Sequence, residues 1–166
     1  MFSAPPRSGF ALSLALLLCA LAGCAQPQPP AVTPEVARVV RVTREGVELQ
    51  VTLSVKNPNA FALDAQEVDG TLIVEGGHKL GTGRSRPNHS IPAKGSSSVE
   101  SHVNIAWDDV PSLQPFLSRE SLPYTFKGHV TLGGDTLNVT LPFEMQGKLT
   151  REQLLQAGLR GLFDPR

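Results

Sequence analysis

The chain is poor in cysteine, in aromatic residues and in net charge. Its 166 residues include two cysteines, too few for a disulfide framework. The 15 basic and 15 acidic residues give a formal net charge of zero, so the chain lacks the electrostatic field typical of nucleic-acid-binding proteins. The hydrophobic fraction of 40% is nevertheless too high for a disordered chain. The composition therefore predicts one folded domain and no nucleic-acid partner.

No hydrophobic run in the sequence is long enough for a transmembrane helix. The longest extends from Phe10 to Ala22, 13 residues interrupted only by Ser13, whereas a bilayer-spanning helix needs about 20. A single charge, Arg7, precedes it. A short apolar run after a basic residue is typical of a secretory signal peptide, so we predict that residues 1–23 are a signal peptide and that the protein is exported.

The predicted signal peptide ends in Leu21-Ala22-Gly23-Cys24, which resembles the lipobox of bacterial lipoproteins. This resemblance implies that Cys24 becomes the first residue of the mature chain and carries a diacylglycerol and an N-acyl chain such as palmitate. The membrane partner would then be reached through acylated Cys24. Ala25, rather than Asp, follows the cysteine, which by resemblance to enteric lipoproteins implies the outer membrane, facing the periplasm. Ordinary cleavage after Ala22 is the alternative, and it would leave Cys24 as an unpaired thiol.

A proline-rich segment, residues 24–34, separates the predicted anchor from the domain. Four prolines and no charge occur between Ala25 and Pro34. Such composition favours polyproline II conformation, which at ~3.1 Å per residue would make a tether about 30 Å long. We therefore expect the domain to stand off the bilayer surface.

Alternation of apolar and polar residues dominates residues 35–149. It is strict in VELQVTLSVK, which begins at Val47, and returns in SVESHVNIAW, YTFKGHVTL and LNVTLPFEM. Period-two alternation indicates half-buried strands, and Pro142 in the last run suggests an edge strand. Weaker strands are predicted at 36–43, 68–75 and 78–85, with turn signals such as Gly133-Gly134-Asp135 between strands. About seven short strands predict an all-β fold, an antiparallel β-sandwich.

Two helices are predicted. One is a short turn after Asp108-Asp109, where Pro111 suits the first helical position. The other is a C-terminal helix, residues 150–166, which begins with a capping box formed by Thr150 and Gln153. Its apolar face would dock on the sandwich, or alternatively on a membrane or a partner protein.

The sequence carries no recognisable catalytic or metal-binding motif. Its four histidines lack the spacing of a metal site, and a Gly-x-Ser-x-Gly elbow is absent. Asp108-Asp109, the only adjacent carboxylate pair, is interpreted as a helix cap. We therefore predict a non-enzymatic protein with no metal and no cofactor.

One stretch is basic. Between Gly76 and Val99 there is no acidic residue, whereas Lys79, Arg84, Arg86 and Lys94 are present. These four side chains are candidates for contact with an anionic surface such as lipid headgroups. A solvated hairpin and loop is the alternative interpretation, because so few charges make a weak field at physiological salt.

The first strong strand runs into VKNPNAFAL, residues 55–63. Pro58 cannot continue a central ladder, and the flanking Asn57 and Asn59 favour turns. This strand followed by Asn-Pro-Asn-x-Phe, with Phe61 in the last position, resembles the signature of the LEA type 2 family, also called the water-stress and hypersensitive-response (WHy) domain. LGTGRSRPNHSIPAKGSSSV and LPYTFKGHVTLGGDTLNVTLPFEMQGKL are similar to later segments of that family. Lys94 departs from its usual small residue before glycine.

The resemblance implies a fibronectin-III/immunoglobulin-like β-sandwich without catalytic residues, associated with desiccation and other stress responses. The first hypothesis is thus a lipid-anchored domain of the bacterial cell envelope that protects or binds other molecules through its surface. The second is a lipid-binding or lipid-transfer protein that holds an acyl chain in a groove of the sandwich. Its partner would be a lipid or an envelope protein, and the sequence does not indicate the oligomeric state.

Overall fold

The computed structural model describes residues 26–108, 119–134 and 137–156 of the chain. The predicted signal peptide and Cys24 lie outside these ranges, as does the short helix predicted after Asp108. Residues 157–166, the second part of the predicted C-terminal helix, also lie outside them. What the sequence indicates for these segments stays a prediction.

Eight strands and two short helical segments form the described part of the chain. The strands are β1 (Ala31–Val42), β2 (Gly46–Lys56), β3 (Leu63–Val74), β4 (His78–Ser85), β5 (His89–Ile91), β6 (Ser96–Ala106), β7 (Ser121–Gly133) and β8 (Asn138–Thr150). A 3-10 turn (Glu75–Gly77) joins β3 to β4, and helix α1 (Arg151–Gln156) follows β8. All pairings are antiparallel, so the prediction of an all-β antiparallel fold is confirmed.

The strands form one sheet that curls until its two ends meet. The order is β1-β2-β6-β4-β3-β7-β8, and β5 pairs with β3. The end strands β1 and β8 contact each other, although no ladder joins them in the part of the chain that the structure describes. Across this seam the Tyr124 hydroxyl on β7 donates a hydrogen bond of 3.2 Å to the carbonyl oxygen of Ala37 on β1. The sheet is nearly closed, and its halves face each other across the core as the layers of a sandwich do.

Two boundaries differ from the sequence-based expectation. β1 begins at Ala31 and not near Val36, so the last four residues of the predicted tether, 31–34, pair with β2. No strand is predicted between residue 85 and the SVESHVNIAW run, but the three residues of β5 pair with the start of β3. In both cases a partner strand distant in sequence overrides the local preference for turn or polyproline conformation.

Aliphatic and aromatic side chains fill the interior of the sheet. Leu49, Val51 and Leu53 of β2 have no exposed surface. Phe126 is fully buried, and its ring centroid lies 6.0 Å from that of Phe143 on β8. Burial of such side chains stabilises the folded state by about 1.5–3 kcal/mol each. The core is therefore built by the inward positions of the alternating runs.

The two end strands carry features that discourage pairing with further strands. Among the described strands, β8 pairs with β7 alone and holds Pro142 opposite His129, which confirms the predicted edge position of this proline. β1 has irregular register at two points, between Pro34 and Val36 and between Val39 and Arg41. Prolines and bulges at an edge are common protection against sheet extension.

Helix α1 begins with the predicted capping box. The Gln153 backbone amide donates to the Thr150 hydroxyl oxygen at 3.3 Å, and the Thr150 amide donates to the Gln153 side-chain oxygen at 2.9 Å. α1 contacts β1 and β8, at the seam of the sheet. Across the described ranges, no helix combines the length and hydrophobicity needed to span a bilayer.

Loops gather at two opposite ends of the sheet. The first, which we call the NPN pole, comprises residues 26–30, 57–62 and 92–95 with residues 134 and 137, beside the paired residues Ala31, Lys56, Ser96 and Gly133. The second, the opposite pole, comprises residues 43–45, 75–77, 107–108 and 119–120. The sequence motif identified above therefore lies at one end of the domain.

Candidate functional site: the NPN pole

Asn57 ties together two loops of the NPN pole. Asn57 is buried, with 1% of its surface exposed. The side-chain Nδ2 donates to the carbonyl oxygens of Phe61 at 2.7 Å and Pro92 at 3.2 Å. Its Oδ1 accepts from the backbone N and the Nδ2 of Asn59, at 3.0 and 3.1 Å. An asparagine amide has two donor hydrogens and a carbonyl oxygen with two lone pairs, so Asn57 uses its full hydrogen-bonding capacity.

Backbone hydrogen bonds reinforce this connection between the loops. The Asn57 amide donates to the Gly95 carbonyl, and the Lys94 amide donates to the Asn59 carbonyl, both at 2.8 Å. Lys94 has a φ of 54°, in the left-handed region that glycine adopts more readily. Its Nζ donates to the Pro58 carbonyl oxygen at 2.5 Å. The position where this chain departs from the family pattern thus adds a bond to the motif.

Asn59 holds the proline-rich segment against the domain. Its Nδ2 donates to the Gln28 carbonyl oxygen at 2.8 Å, and its Oδ1 accepts from the Gln28 amide at 2.7 Å. Asn59 is 5% exposed, and Pro30 on the docked segment is buried. The described part of the predicted tether is therefore fixed to the domain from Gln28 onward. Sequence reasoning missed this contact because its partners are 31 residues apart.

The four basic candidates do not form one patch. Lys79 lies next to the opposite pole and forms a salt bridge with Asp108 at 2.9 Å. Arg86 pairs with Glu67 at 3.6 Å, and Arg84 lies on β4 across from Asp69 of β3. Lys94 alone among the four belongs to the NPN pole. The structure therefore separates cations that are neighbours in the sequence.

A charged cluster that the sequence did not single out crosses the outer face of β1, β2 and β6. Glu48 accepts from Arg41, with its Oε2 2.7 Å from Nη2, and its Oε1 lies 2.9 Å from His102 Nδ1. Glu100 Oε1 lies 3.4 Å from the other ring nitrogen. Hydrogen bonding to Glu48 raises the pKa of His102, and Glu100 raises it further. Hydrogen bonds from Arg41 and His102 lower the pKa of Glu48. The Arg41, His102 and Glu100 side chains are exposed and that of Glu48 is half-buried, and ion pairs with exposed partners contribute little stability.

Two depressions of the described surface lie on the outer face of the sheet. One of about 520 Å³ is lined by outward residues of β3, β4 and β6, among them Asp69, Arg84 and Asn104. Another of about 410 Å³ lies across β3, β7 and β8, near Thr125 and Gln146. Both are open to solvent, whereas the inward faces are packed. Neither has the enclosed apolar lining typical of small-molecule sites.

No arrangement for catalysis is evident among residues 26–108, 119–134 and 137–156. Within these ranges there is no group of three or more His, Cys, Asp or Glu side chains placed to hold a metal ion. The raised pKa of Tyr124, about 12, follows from burial. The asparagines of the NPN pole instead hold its loops together. The fold and this site define the class of protein: an antiparallel β-domain that presents loops and outer faces to its surroundings.

Comparison with known proteins identifies the family. Residues 52–147 match the LEA_2 family model, described as late embryogenesis abundant protein. The chain belongs to this family. The match includes Asn57, Asn59 and the loop that carries Lys94. No curated protein matches the chain significantly in sequence.

Solved structures share the fold at low sequence identity. A solution structure of an Arabidopsis thaliana protein is 20% identical, with a TM-score of 0.57, and 75% of this chain and 82% of that chain are covered. A solution structure named as a late embryogenesis abundant protein is 19% identical, with a TM-score of 0.58 and coverage of 85% and 87%. A crystal structure from Archaeoglobus fulgidus is 11% identical, with a TM-score of 0.51 and coverage of 75% and 96%.

Proposed function

We propose that this protein is a lipid-anchored LEA type 2 domain of the bacterial cell envelope that acts without catalysis, through its surface, in protection against drying or related stress. Family membership over residues 52–147 is the observation that carries the protective role. Proteins of this family are generally non-enzymatic. The lipid anchor rests on Leu21-Ala22-Gly23-Cys24, with Ala25 favouring the outer membrane.

Packing of the interior supports a surface function over lipid carriage. An acyl chain inside the sheet would need space among inward side chains, but Leu63, Leu80 and Ile91 have no exposed surface. Opening a path through such a core would forfeit close-packed contacts. Native mass spectrometry of the gently purified protein separates the two functions: we expect no co-purified lipid beyond the covalent anchor, whereas one bound lipid per chain would favour carriage.

A drying assay tests the protective role together with the anchor. Bacteria that produce the full chain, the Cys24→Ala chain or neither are dried, rehydrated and counted as colonies. We expect the full chain to raise survival several-fold over cells with neither, and Cys24→Ala at matched expression to protect less because it is not held at the membrane. Equal survival of all three strains would contradict the proposal.

A further inference from the structure

We propose that the NPN pole is a membrane-facing surface, apposed to a phospholipid bilayer by the docked proline-rich segment. This inference rests on the proposed acylation of Cys24. It differs from the arrangement that the sequence suggests, in which a free tether of about 30 Å lifts the domain away. The docked segment, the chemistry of the pole and the contrast with the opposite pole support it independently.

The first support is the length of chain between the anchor and the domain. Cys24 precedes Gln28 by four residues, and a fully extended chain reaches at most ~3.6 Å per residue, or about 14 Å in all. If Asn59 did not hold Gln28, the next fixed point would be Ala31, the first residue of β1. Seven residues reach about 25 Å. Docking therefore shortens by almost half the chain that connects Cys24 to the NPN pole, where both Gln28 and Ala31 lie.

The second support is the composition of the pole itself. The described loop residues 26–30, 57–62, 92–95, 134 and 137 contain no acidic residue, and Lys94 is their single charge. Two exposed charges of opposite sign flank them, Lys56 at the end of β2 and Asp64 near the start of β3. Small or apolar side chains are exposed around these lysines: Pro27, Pro29, Ala60, Ala62, Pro92 and Ala93. Uncharged side chains lose little on approach to headgroups, and lysines near an anionic surface are attracted by about 1 kcal/mol each.

The third support is the contrast with the opposite pole, whose described loops carry six charged residues. Its described loops contain Arg44, Glu45, Glu75, Asp108, Arg119 and Glu120. Pressing these groups against a bilayer would remove water from charged side chains and bring carboxylates near anionic lipids, both unfavourable. Of the two ends of the sheet, the one that the anchor reaches is also the one suited to a bilayer surface.

Lysine footprinting on vesicles measures this orientation directly. The mature chain is anchored to vesicles of phosphatidylethanolamine and phosphatidylglycerol, and a membrane-impermeant amine reagent modifies its lysines. The soluble Cys24→Ala chain supplies the unanchored rate for each lysine. We expect anchoring to slow modification of Lys94 and Lys56 several-fold and to leave Lys79, next to the opposite pole, unchanged. Equal slowing at both poles, or none at Lys94, would overturn the proposal.

Two variants test whether the docked segment causes the apposition. Asn59→Ala removes both bonds to Gln28, and its fold is checked by circular dichroism because Asn59 is buried. A Gly-Ser insertion between Ala25 and Gln26 lengthens the chain between Cys24 and Gln28 and leaves those bonds intact. We expect both variants to reduce the protection of Lys94 towards the unanchored rate. If Lys94 stays equally protected in the insertion variant, the short chain between Cys24 and Gln28 does not hold the NPN pole against the bilayer.

A chemical anchor allows the orientation of the domain to be tested separately from the acylation of Cys24. Vesicles that contain a maleimide lipid capture the Cys24 thiol of a mature chain made without residues 1–23, whether or not cells acylate it. Absence of acyl groups on the protein isolated from cells would then count against the proposed function alone. Absence of lysine protection on maleimide vesicles would count against the orientation alone.

Discussion

At the scale of single residues, Asn57 is the side chain on which the NPN pole depends most. Removing its amide leaves the carbonyl oxygens of Phe61 and Pro92 and the amide of Asn59 without their partner. Phe61 and Pro92 lie at the surface, where water can replace the lost bonds, whereas Asn59 is buried; one buried polar group left unpaired costs about 1–3 kcal/mol. Asparagine before proline could be recognised as a turn signal from the sequence, but its bond to Pro92, 35 residues away, could not.

We expect Asn57→Ala to lower the free energy of unfolding by about 1–3 kcal/mol, measured by denaturant unfolding monitored by circular dichroism. Asn104→Ala is the matched control, because Asn104 is exposed on β6 and surface substitutions usually stay within about 0.5 kcal/mol. A change as small for Asn57 as for Asn104 would show that the asparagine amide does not hold the turn.

Ser101, unlike Asn57, is a buried polar residue whose side chain is unpaired. It is 2% exposed, and its hydroxyl has no hydrogen-bond partner in the described part of the chain. Since an unpaired buried hydroxyl is unfavourable, we expect Ser101→Ala to leave stability unchanged or to raise it by up to about 1 kcal/mol. The same unfolding experiment measures this. A loss larger than that of the exposed control Ser98→Ala would show that the hydroxyl is bonded.

At the scale of strands and helices, Tyr124 links the two ends of the sheet. Its ring lies over Gly147 of β8, where an added Cβ would come within 2.4 Å of ring carbon Cζ. Its hydroxyl reaches across the seam to Ala37 of β1. A strand that lacked this glycine would displace the ring and weaken the contact between the two ends of the sheet.

The chain has a single tyrosine, so phenolate absorbance reports on Tyr124 alone. Burial raises its pKa from 10.0 to about 12. The folded protein therefore keeps the phenolic proton at pH values where the unfolded chain releases it, and stability falls as pH rises from about 10 through about 12. We expect Tyr124→Phe to lower stability at neutral pH by about 0.5–1.5 kcal/mol and to lack this component of the alkaline loss. A folded-state titration near 10 would contradict burial of the hydroxyl.

Most strands could be predicted from the sequence because one face of each is buried, and burial imposes period-two alternation. Val47 to Lys56 is the clearest case, and the capping box of α1 is equally local. β5 could not be predicted, since its three residues lie in a segment rich in turn residues and gain their partners from β3. The order of strands and the seam between β1 and β8 likewise depend on contacts distant in sequence.

At the scale of the whole molecule, the two poles differ in a way that sequence order conceals. Lys79 and Lys94 are 15 residues apart and were grouped in one basic stretch, but β4, β5 and the following loop carry them to opposite regions. The proline-rich segment was expected to be a spacer because composition alone favours extended conformation. Two hydrogen bonds between Asn59 and Gln28 instead hold this segment against the domain. The docked segment and the loops richest in charge therefore lie at opposite ends of the domain.

The most direct test of the proposed lipid-anchored protein is the mass of the N-terminal peptide of the chain isolated from bacterial membranes. If the protein is a lipoprotein, we expect this peptide to begin at Cys24 and its mass to exceed the mass calculated from its sequence by a diacylglycerol and an N-acyl chain. Cleavage after Ala22, with an unmodified thiol at Cys24, would contradict the anchor and assign the protein to ordinary secretion.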